Sequence, residues 1–265
     1  GMIDESMDKE QMMQPPQPWE FRSKPAWQRL IIMLGGVTVN FILGIFSNIM
    51  MFNVWGDEYG GVDDVTYGFS VTEDFRELGF QNGDKILTID GEEPEDVMDV
   101  NKFHFLRDVS EIKLEHPDGA TESVQIPEDS GYKMWQSGYI DPVTPRVPAI
   151  LDSIKPNSPA GEAGLQHGDR VISVNGEPVA FWVELTERVK KNTDKKPMEI
   201  GIERDGRQMT YTIAPNEENN LGVYVLADID EVLTINHKDF TFAESISPGF
   251  SRAYWTLKDY MGQFK

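Results

Sequence analysis

The chain has 265 residues and a formal net charge of −21, and 39% of its residues are hydrophobic. This length is enough for two or three small domains that each bury a core, while the negative charge disfavours nucleic acid and anionic lipid as partners of the folded part. The absence of cysteine excludes disulfides, thiolate zinc sites and cysteine nucleophiles.

The first predicted element is a hydrophobic helix over residues 30–55, preceded by a mobile tail and basic flank over residues 1–29. The helix carries no charged residue and is long enough to cross a bilayer core of about 30 Å. Basic residues precede it and acidic residues follow it, at Arg22, Lys24, Arg29, Asp57 and Glu58. The positive-inside rule therefore predicts a membrane span with its N-terminal end in the cytoplasm.

A buried core helix is the alternative interpretation of residues 30–55. Four polar residues favour it, at Asn40, Ser47, Asn48 and Asn53. Against it, no other helix-like stretch of the sequence is large enough to cover this segment on all sides.

An internal repeat organises the rest of the chain. Residues 78–91 return as residues 163–176, at an offset of 85 residues and without a gap. A repeat of this length is too long for a solenoid and fits one compact domain per copy. The sequence therefore predicts a domain over residues 56–130, a second over residues 131–228, and a C-terminal segment over residues 229–265.

Each copy predicts the same order of turn, strand, turn and helix. The second turn is Asp90-Gly91 in one copy and Asn175-Gly176 in the other, a composition typical of tight hairpins. The predicted strands cover residues 85–89, 111–115, 122–126, 170–174, 198–203 and 209–213. The predicted fold class is therefore α+β, mostly β, with one hydrophobic helix in front.

Residues 156–176, with the sequence Pro-Asn-Ser-Pro-Ala-Gly-Glu-Ala-Gly-Leu-Gln-His-Gly-Asp-Arg-Val-Ile-Ser-Val-Asn-Gly, resemble a bacterial PDZ core. The first copy departs from this pattern, because Thr-Glu-Asp-Phe-Arg-Glu at residues 72–77 replaces Ser-Pro-Ala. The resemblance implies two tandem PDZ-like domains, of which the second is the better candidate for ligand binding.

PDZ domains bind an extended peptide as an added strand between a sheet edge and a helix. By this resemblance, the second domain is expected to receive the peptide carboxylate in a loop and the last side chain against a helix wall. The predicted residues are Gly138, Tyr139 and Ile140 in the loop, and Trp182, Leu185 and Val189 on the helix. The alternative is that these side chains simply form core.

Residues 24–29 and 34–41 resemble the start of the second membrane helix in site-2 proteases of the RseP type, although Val37 stands where proline is usual. Residues 242–261 resemble the approach to that family's next membrane helix. The resemblance implies a tandem-PDZ region in the periplasm, attached to the bacterial inner membrane through residues 30–55. It would gate or recognise membrane-bound substrates, such as anti-sigma factors trimmed by a first cut or proteins with a free C-terminus.

Site-2 proteases are zinc enzymes with a His-Glu-x-x-His pair, and that motif is missing here. No two histidines are spaced as an i, i+4 metal pair; they are His104, His116, His167 and His237. The sequence therefore predicts no catalytic residue, metal site or cofactor in this chain, and the resemblance implies zinc in the parent protein. A membrane-anchored PDZ adaptor without protease activity is the alternative function. A serine-protease tail is disfavoured, because no Gly-Asn-Ser-Gly-like nucleophile loop occurs.

Overall fold

The computed structural model describes residue 18 and residues 21–138, 141–226 and 228–262. These residues divide into two compact units. The helical unit contains the described residues up to Asp57 and those from Lys238 onward, and the sheet unit contains those between residues 58 and 237.

The helical unit begins with a 3-10 turn, Phe21–Ser23, and the helix α1, Ala26–Trp55. Gly56 ends α1 with a φ of 69° and donates its N–H to the carbonyl of Phe52. Among the described residues, α1 is the one helix long and apolar enough to cross a membrane, and none of its most apolar stretch is buried. The helix starts four residues before the predicted segment, and its exposure contradicts the interpretation as a core helix.

The helix α8, Phe242–Gly262, packs against α1 within the same unit. A Cβ atom on Gly249 would lie 2.6 Å from the Cα of Ile49, so the close approach of the two backbones requires glycine here. The rings of Phe52 and Phe240 meet edge-on with centroids 5.3 Å apart.

The first module of the sheet unit is built from β2 to β6. Its elements are β2 Phe69–Val71, α2 Glu73–Leu78, β3 Lys85–Ile89, a 3-10 turn Val97–Asp99, α3 Val100–Leu106, β4 Glu111–Glu115, β5 Thr121–Gln125, α4 Ser130–Ser137 and β6 Val143–Pro145. β3, β4 and β5 form an antiparallel sheet, and β2 pairs with β6.

The second module is built from β7 to β12. Its elements are β7 Leu151–Ile154, α5 Pro159–Ala163, β8 Arg170–Val174, β9 Glu177–Pro178, α6 Trp182–Lys191, β10 Met198–Arg204, β11 Arg207–Ile213 and β12 Val223–Val225. The strand order β11-β10-β8-β9 forms one sheet, and β12 pairs with β7. The chain continues through α7 Ile229–Val232 and β13 Asn236–Lys238, which pairs with β1 Asp57–Tyr59. The sheet unit is therefore mostly β, as predicted.

The predicted hairpin turns are present in both modules. Asp90 and Asn175 each adopt a left-handed φ of 51° before a glycine that also has positive φ, which is the conformation of a type I′ turn. β8 continues from its turn into β9 with Val174 opposite Glu177.

Each module has its own hydrophobic cluster. The first cluster includes Met134, Val143, Val232 and Leu233, which all lie beyond the predicted boundary at residue 130. Two contacts join these residues to the first cluster: β6 pairs with β2, and the carbonyl of Val232 accepts a main-chain hydrogen bond from Thr66 at 3.0 Å.

Candidate functional site

Main-chain hydrogen bonds identify corresponding strands in the two modules. In the first module, the N–H of Thr72 donates to the carbonyl of Pro142 at 3.0 Å. In the second, the N–H of Lys155 donates to the carbonyl of Gly222 at 2.8 Å. β6 therefore corresponds to β12, and the first residue of one strand to the first residue of the other.

The first residues of β6 and β12 turn their main-chain groups away from β2 and β7. Neighbouring residues in a strand direct their N–H and C=O groups to opposite sides. Because Pro142 and Gly222 face β2 and β7, Val143 and Val223 face the other side. This second side presents main-chain groups of the kind with which an added strand pairs.

This correspondence bears on the predicted loop, which remains a prediction. Gly138 ends α4 with a φ of 74°, and the chain then enters β6, which pairs with β2 of the first module. Gly138 therefore lies just before a strand of the first module, whereas Trp182, Leu185 and Val189 lie on α6 of the second. Tyr139 and Ile140 lie outside the described residues, so their part of the prediction stays a prediction.

The second module has its own turn at the corresponding place, residues 219–222. The side-chain amide of Asn219 donates to the carbonyls of Val189 at 2.9 Å and Lys190 at 3.3 Å, which joins the turn to the last turn of α6. Sequence reasoning missed this turn. The signal was the short Val-Tyr-Val run at residues 223–225, of β-branched and aromatic residues, that follows the polar residues 216–220.

The edge of β12 is open. β12 pairs with β7 alone, and across the described residues no side chain hydrogen-bonds to the main chain of Val223. Tyr224, the central residue of the strand, is 57% exposed. Within the part of the chain that the structure describes, the second module therefore presents an unpaired strand edge.

The predicted helix wall lies on α6. Leu185 and Val189 are buried members of the second cluster, and Trp182 packs against that cluster half-buried. Leu185 and Val189 thus contribute core, as the alternative interpretation has it. The last turn of α6 carries the basic residues Arg188, Lys190 and Lys191. The main-chain carbonyl of Lys190 accepts from Asn219, so the helix end that carries these basic residues adjoins the 219–222 turn.

The corresponding edge of the first module is occupied. The side-chain amide of Asn101 donates to the carbonyl of Val143 at 2.6 Å, and the N–H of Val143 donates to the amide oxygen of Asn101 at 3.1 Å. Asn101 is itself buried. Sequence reasoning missed this residue.

A buried aspartate precedes a strand in each module: Asp84 before β3 in the first, and Asp169 before β8 in the second. In the first, His116 Nδ1 lies 2.8 Å from Asp84 and its Nε2 lies 3.0 Å from Glu122. The hydrogen bond with Asp84, followed by that with Glu122, raises the pKa of His116. In the second, Arg204 donates to both oxygens of Asp169, at 2.6 and 2.7 Å, and this hydrogen bonding raises the pKa of the guanidinium.

The other buried histidine, His104, lies on α3 beside α4. Its Nε2 is hydrogen-bonded to the hydroxyl of Ser130, and burial lowers the pKa of His104 to about 4. His104 is therefore neutral at physiological pH. Across the described ranges, no group of three or more His, Asp or Glu side chains is arranged to hold a metal ion.

Comparison of the sequence with models of known protein families identifies a class of domain. A family model described as PDZ domain matches residues 150–188. This segment covers the beginning of β7 to the middle of α6 in the second module.

Comparison of the sequence with curated proteins identifies several relatives of the chain. The chain is 27% identical over 212 residues to the regulator of sigma-E protease RseP of Escherichia coli, a match that covers 76% of this chain and 46% of that protein. A putative zinc metalloprotease of Vibrio cholerae is 22% identical over 228 residues, which is 82% of this chain and 48% of that protein. The probable protease eep of Enterococcus faecalis is 28% identical over 133 residues, which is 44% of this chain and 30% of that protein.

These findings confirm the predicted resemblance to RseP-type site-2 proteases and the presence of a PDZ domain. The chain spans about half the length of the curated relatives it matches over most of its own length.

Proposed function

We propose that this chain is the periplasmic, tandem-PDZ regulatory region of a zinc protease of the site-2 class in a bacterial inner membrane. In this proposal both modules are PDZ-like and α1 is a membrane span. The second module receives the C-terminus of a membrane-bound substrate, such as an anti-sigma factor that a first cut has trimmed. The resemblance to RseP over three quarters of the chain supports the class of protein.

The open edge of β12 beside the basic end of α6 is the observation that carries the recognition role. An extended peptide would gain main-chain hydrogen bonds from Val223. Its terminal carboxylate would lie near the 219–222 turn, where Lys190 and Lys191 offset the strongly negative net charge of the chain. The same negative charge would repel large acidic ectodomains, which supports a second role in excluding untrimmed substrates.

The bond-breaking step does not belong to these residues in the proposal. One relative is named a putative zinc metalloprotease, and in this proposal zinc is held by another part of the parent protein. The contribution of this chain is recognition of the substrate terminus and steric exclusion of bulky domains.

The recognition role can be tested by titrating the full chain, labelled with ¹⁵N-valine in phosphatidylcholine nanodiscs, with peptides that end in free Val, Leu, Ala or Phe. Saturable amide shifts at Val223 and Val225 are expected, and the same peptides with an amidated C-terminus should leave both amides unmoved. Shifts that survive amidation would contradict carboxylate recognition, and the absence of shifts at millimolar peptide would leave steric exclusion as the remaining role.

The protease assignment needs a separate test against a membrane-anchored adaptor. The coding sequence upstream of residue 1 is expected to encode a His-Glu-x-x-His motif on a hydrophobic helix. A complete gene without that motif would contradict the protease proposal.

A further inference from the structure

Asn101 makes the contacts in the first module that an added peptide strand would make. A peptide that pairs with a strand edge donates to one main-chain carbonyl and accepts from one main-chain N–H. The amide of Asn101 does both with the single residue Val143, at 2.6 and 3.1 Å. Val143 is the first residue of β6, where the carboxyl end of an added peptide would arrive. At that place its main-chain N–H and C=O are already hydrogen-bonded to Asn101.

A second element covers the same region. α4 packs against α3, and a Cβ atom on Gly131 would lie 3.1 Å from the carbonyl oxygen of His104 and 3.2 Å from that of Phe105. Met134, from the same helix, is buried in the first cluster. The C-terminal half of α3, which would form the far wall of a groove, is therefore covered by protein.

The second module lacks this arrangement at the matched position. At the repeat offset of 85 residues, Asn101 corresponds to Thr186 on α6. The hydroxyl of Thr186 donates to the carbonyl of Val183 in its own helix at 2.9 Å, so it does not reach across to β12. The two grooves thus differ in one side chain at an equivalent place: an amide that bridges to the strand, and a hydroxyl that does not.

We propose that Asn101 closes the strand-adding groove of the first module from within, so that peptide binding is confined to the second module. The first module then serves as a closed structural partner, and the amide of Asn101 stands in for the peptide terminus. The occupant of the second groove, an extended peptide with a free carboxylate, rests on the proposed function. The closure itself does not.

Hydrogen exchange of the full ¹⁵N-valine-labelled chain in nanodiscs tests the closure without any peptide. In the wild type, the Val143 amide is expected to be protected and the Val223 amide to exchange much faster. The substitution Asn101→Thr, which copies the second module, should raise the exchange rate of Val143 about tenfold, because a buried hydrogen bond is lost. A Val143 amide that exchanges as fast as Val223 in the wild type would overturn the proposal.

The reciprocal substitution Thr186→Asn tests the confinement of binding, and it does not depend on whether Asn101→Thr folds. It should lower the affinity of the second module for the pooled free-carboxylate peptides about tenfold, since the new amide competes for Val223. Thr186→Val is the matched control and should bind as the wild type does. Equal affinity of Thr186→Asn and Thr186→Val, or peptide-induced shifts at Val143 in the wild type, would overturn the inference.

The outcomes separate this inference from the proposed function. If the wild type binds no peptide but Val143 is protected by Asn101, the recognition role fails and the closure stands. If the second module binds and the Val143 amide is unprotected, the recognition role stands and the closure fails.

Discussion

Asp84 and Asp169 are buried at the start of corresponding strands, and each also accepts a main-chain hydrogen bond, from Gln81 at 2.7 Å and from Gln166 at 2.8 Å. The cation that faces them differs. The residue that follows β4 is His116, whereas the last residue of β10 at the corresponding position is Arg204. One module therefore balances its buried carboxylate with a titratable group, and the other with a permanently charged, two-pronged group.

The strand edges of the two modules also differ through individual side chains. The first module closes its edge with Asn101 and the second leaves Val223 free, although both share the same strand pairing. A repeated fold thus fixes where the edge and the buried carboxylate lie. Asn101, together with the covering helix α4, decides whether the edge is accessible, and the paired cation decides whether the carboxylate pairing depends on pH.

The largest expected effect comes from removing the permanent cation. Arg204→Met leaves Asp169 buried without its partner, and breaking such a pair from one side costs about 3–5 kcal/mol. The free energy of opening of the second module, measured by hydrogen exchange at the Ile200 and Ile202 amides, should fall by that amount. Arg207→Met, an exposed arginine at the start of β11, is the control and should change it by less than about 0.5 kcal/mol. A small effect of Arg204→Met would mean that the second module does not rely on its buried pair.

A smaller effect, on the order of 1 kcal/mol, is expected from raising the pH. The pKa of His116 is raised in the folded chain, so protonated His116 stabilises the fold fully below its unfolded pKa of about 6.5. That stabilisation is lost as the pH rises through the folded pKa. Hydrogen exchange at Ile112 and Leu114, corrected for intrinsic rates, should show the first module weakening above pH 6.5, while the second does not.

The hydrogen-exchange measurement should be made above pH 6.5, because below that pH the titration of His104 destabilises the fold as the pH falls. Burial lowers the pKa of His104 to about 4, so acidification from about 6.5 towards that value disfavours the folded state. Two charged groups from other elements face the His116 site. They are Glu122 on β5, and Arg146, which interacts electrostatically with Asp84. His116→Arg should abolish the alkaline loss, and persistence of that loss in His116→Arg would assign it to another group.

The smallest expected effect concerns the ion pair that joins the modules. Arg76 on α2 donates to Glu187 on α6 at 2.5 Å, with both side chains 27% exposed. Because partly exposed pairs contribute little, a double-mutant cycle with Arg76→Gln and Glu187→Gln should give a coupling energy of about 0.5 kcal/mol. A coupling above about 2 kcal/mol would show that the modules are not energetically separable, and the comparison between them would need to be revised.

The local structure of each module could be predicted from the sequence, because turn residues and strand alternation are local signals. The strands at residues 85–89, 111–115 and 170–174 are observed with those bounds. The hairpin of β10 and β11 is longer than predicted, since Asp205 adopts a positive φ of 50° and the strands pair up to Arg204 and Arg207.

The non-local pairings could not be predicted in the same way. Residues 138–140 lie before the second repeat copy in the sequence, which assigns them to the predicted second domain. The strand after them instead completes the first module, because β2 needs a partner far along the chain. The bridge from Asn101 to Val143 depends on that pairing, so no local pattern could indicate it.

Photo-crosslinking at two matched positions tests the central claim most directly. Thr144 and Tyr224 are the central, exposed residues of β6 and β12, and each can be replaced in turn by a benzophenone amino acid in the full chain in nanodiscs. With a biotinylated peptide that ends in a free carboxylate, the account predicts an adduct from position 224 and none from position 144. Adducts of equal yield from both positions, or an adduct from position 144 alone, would contradict it.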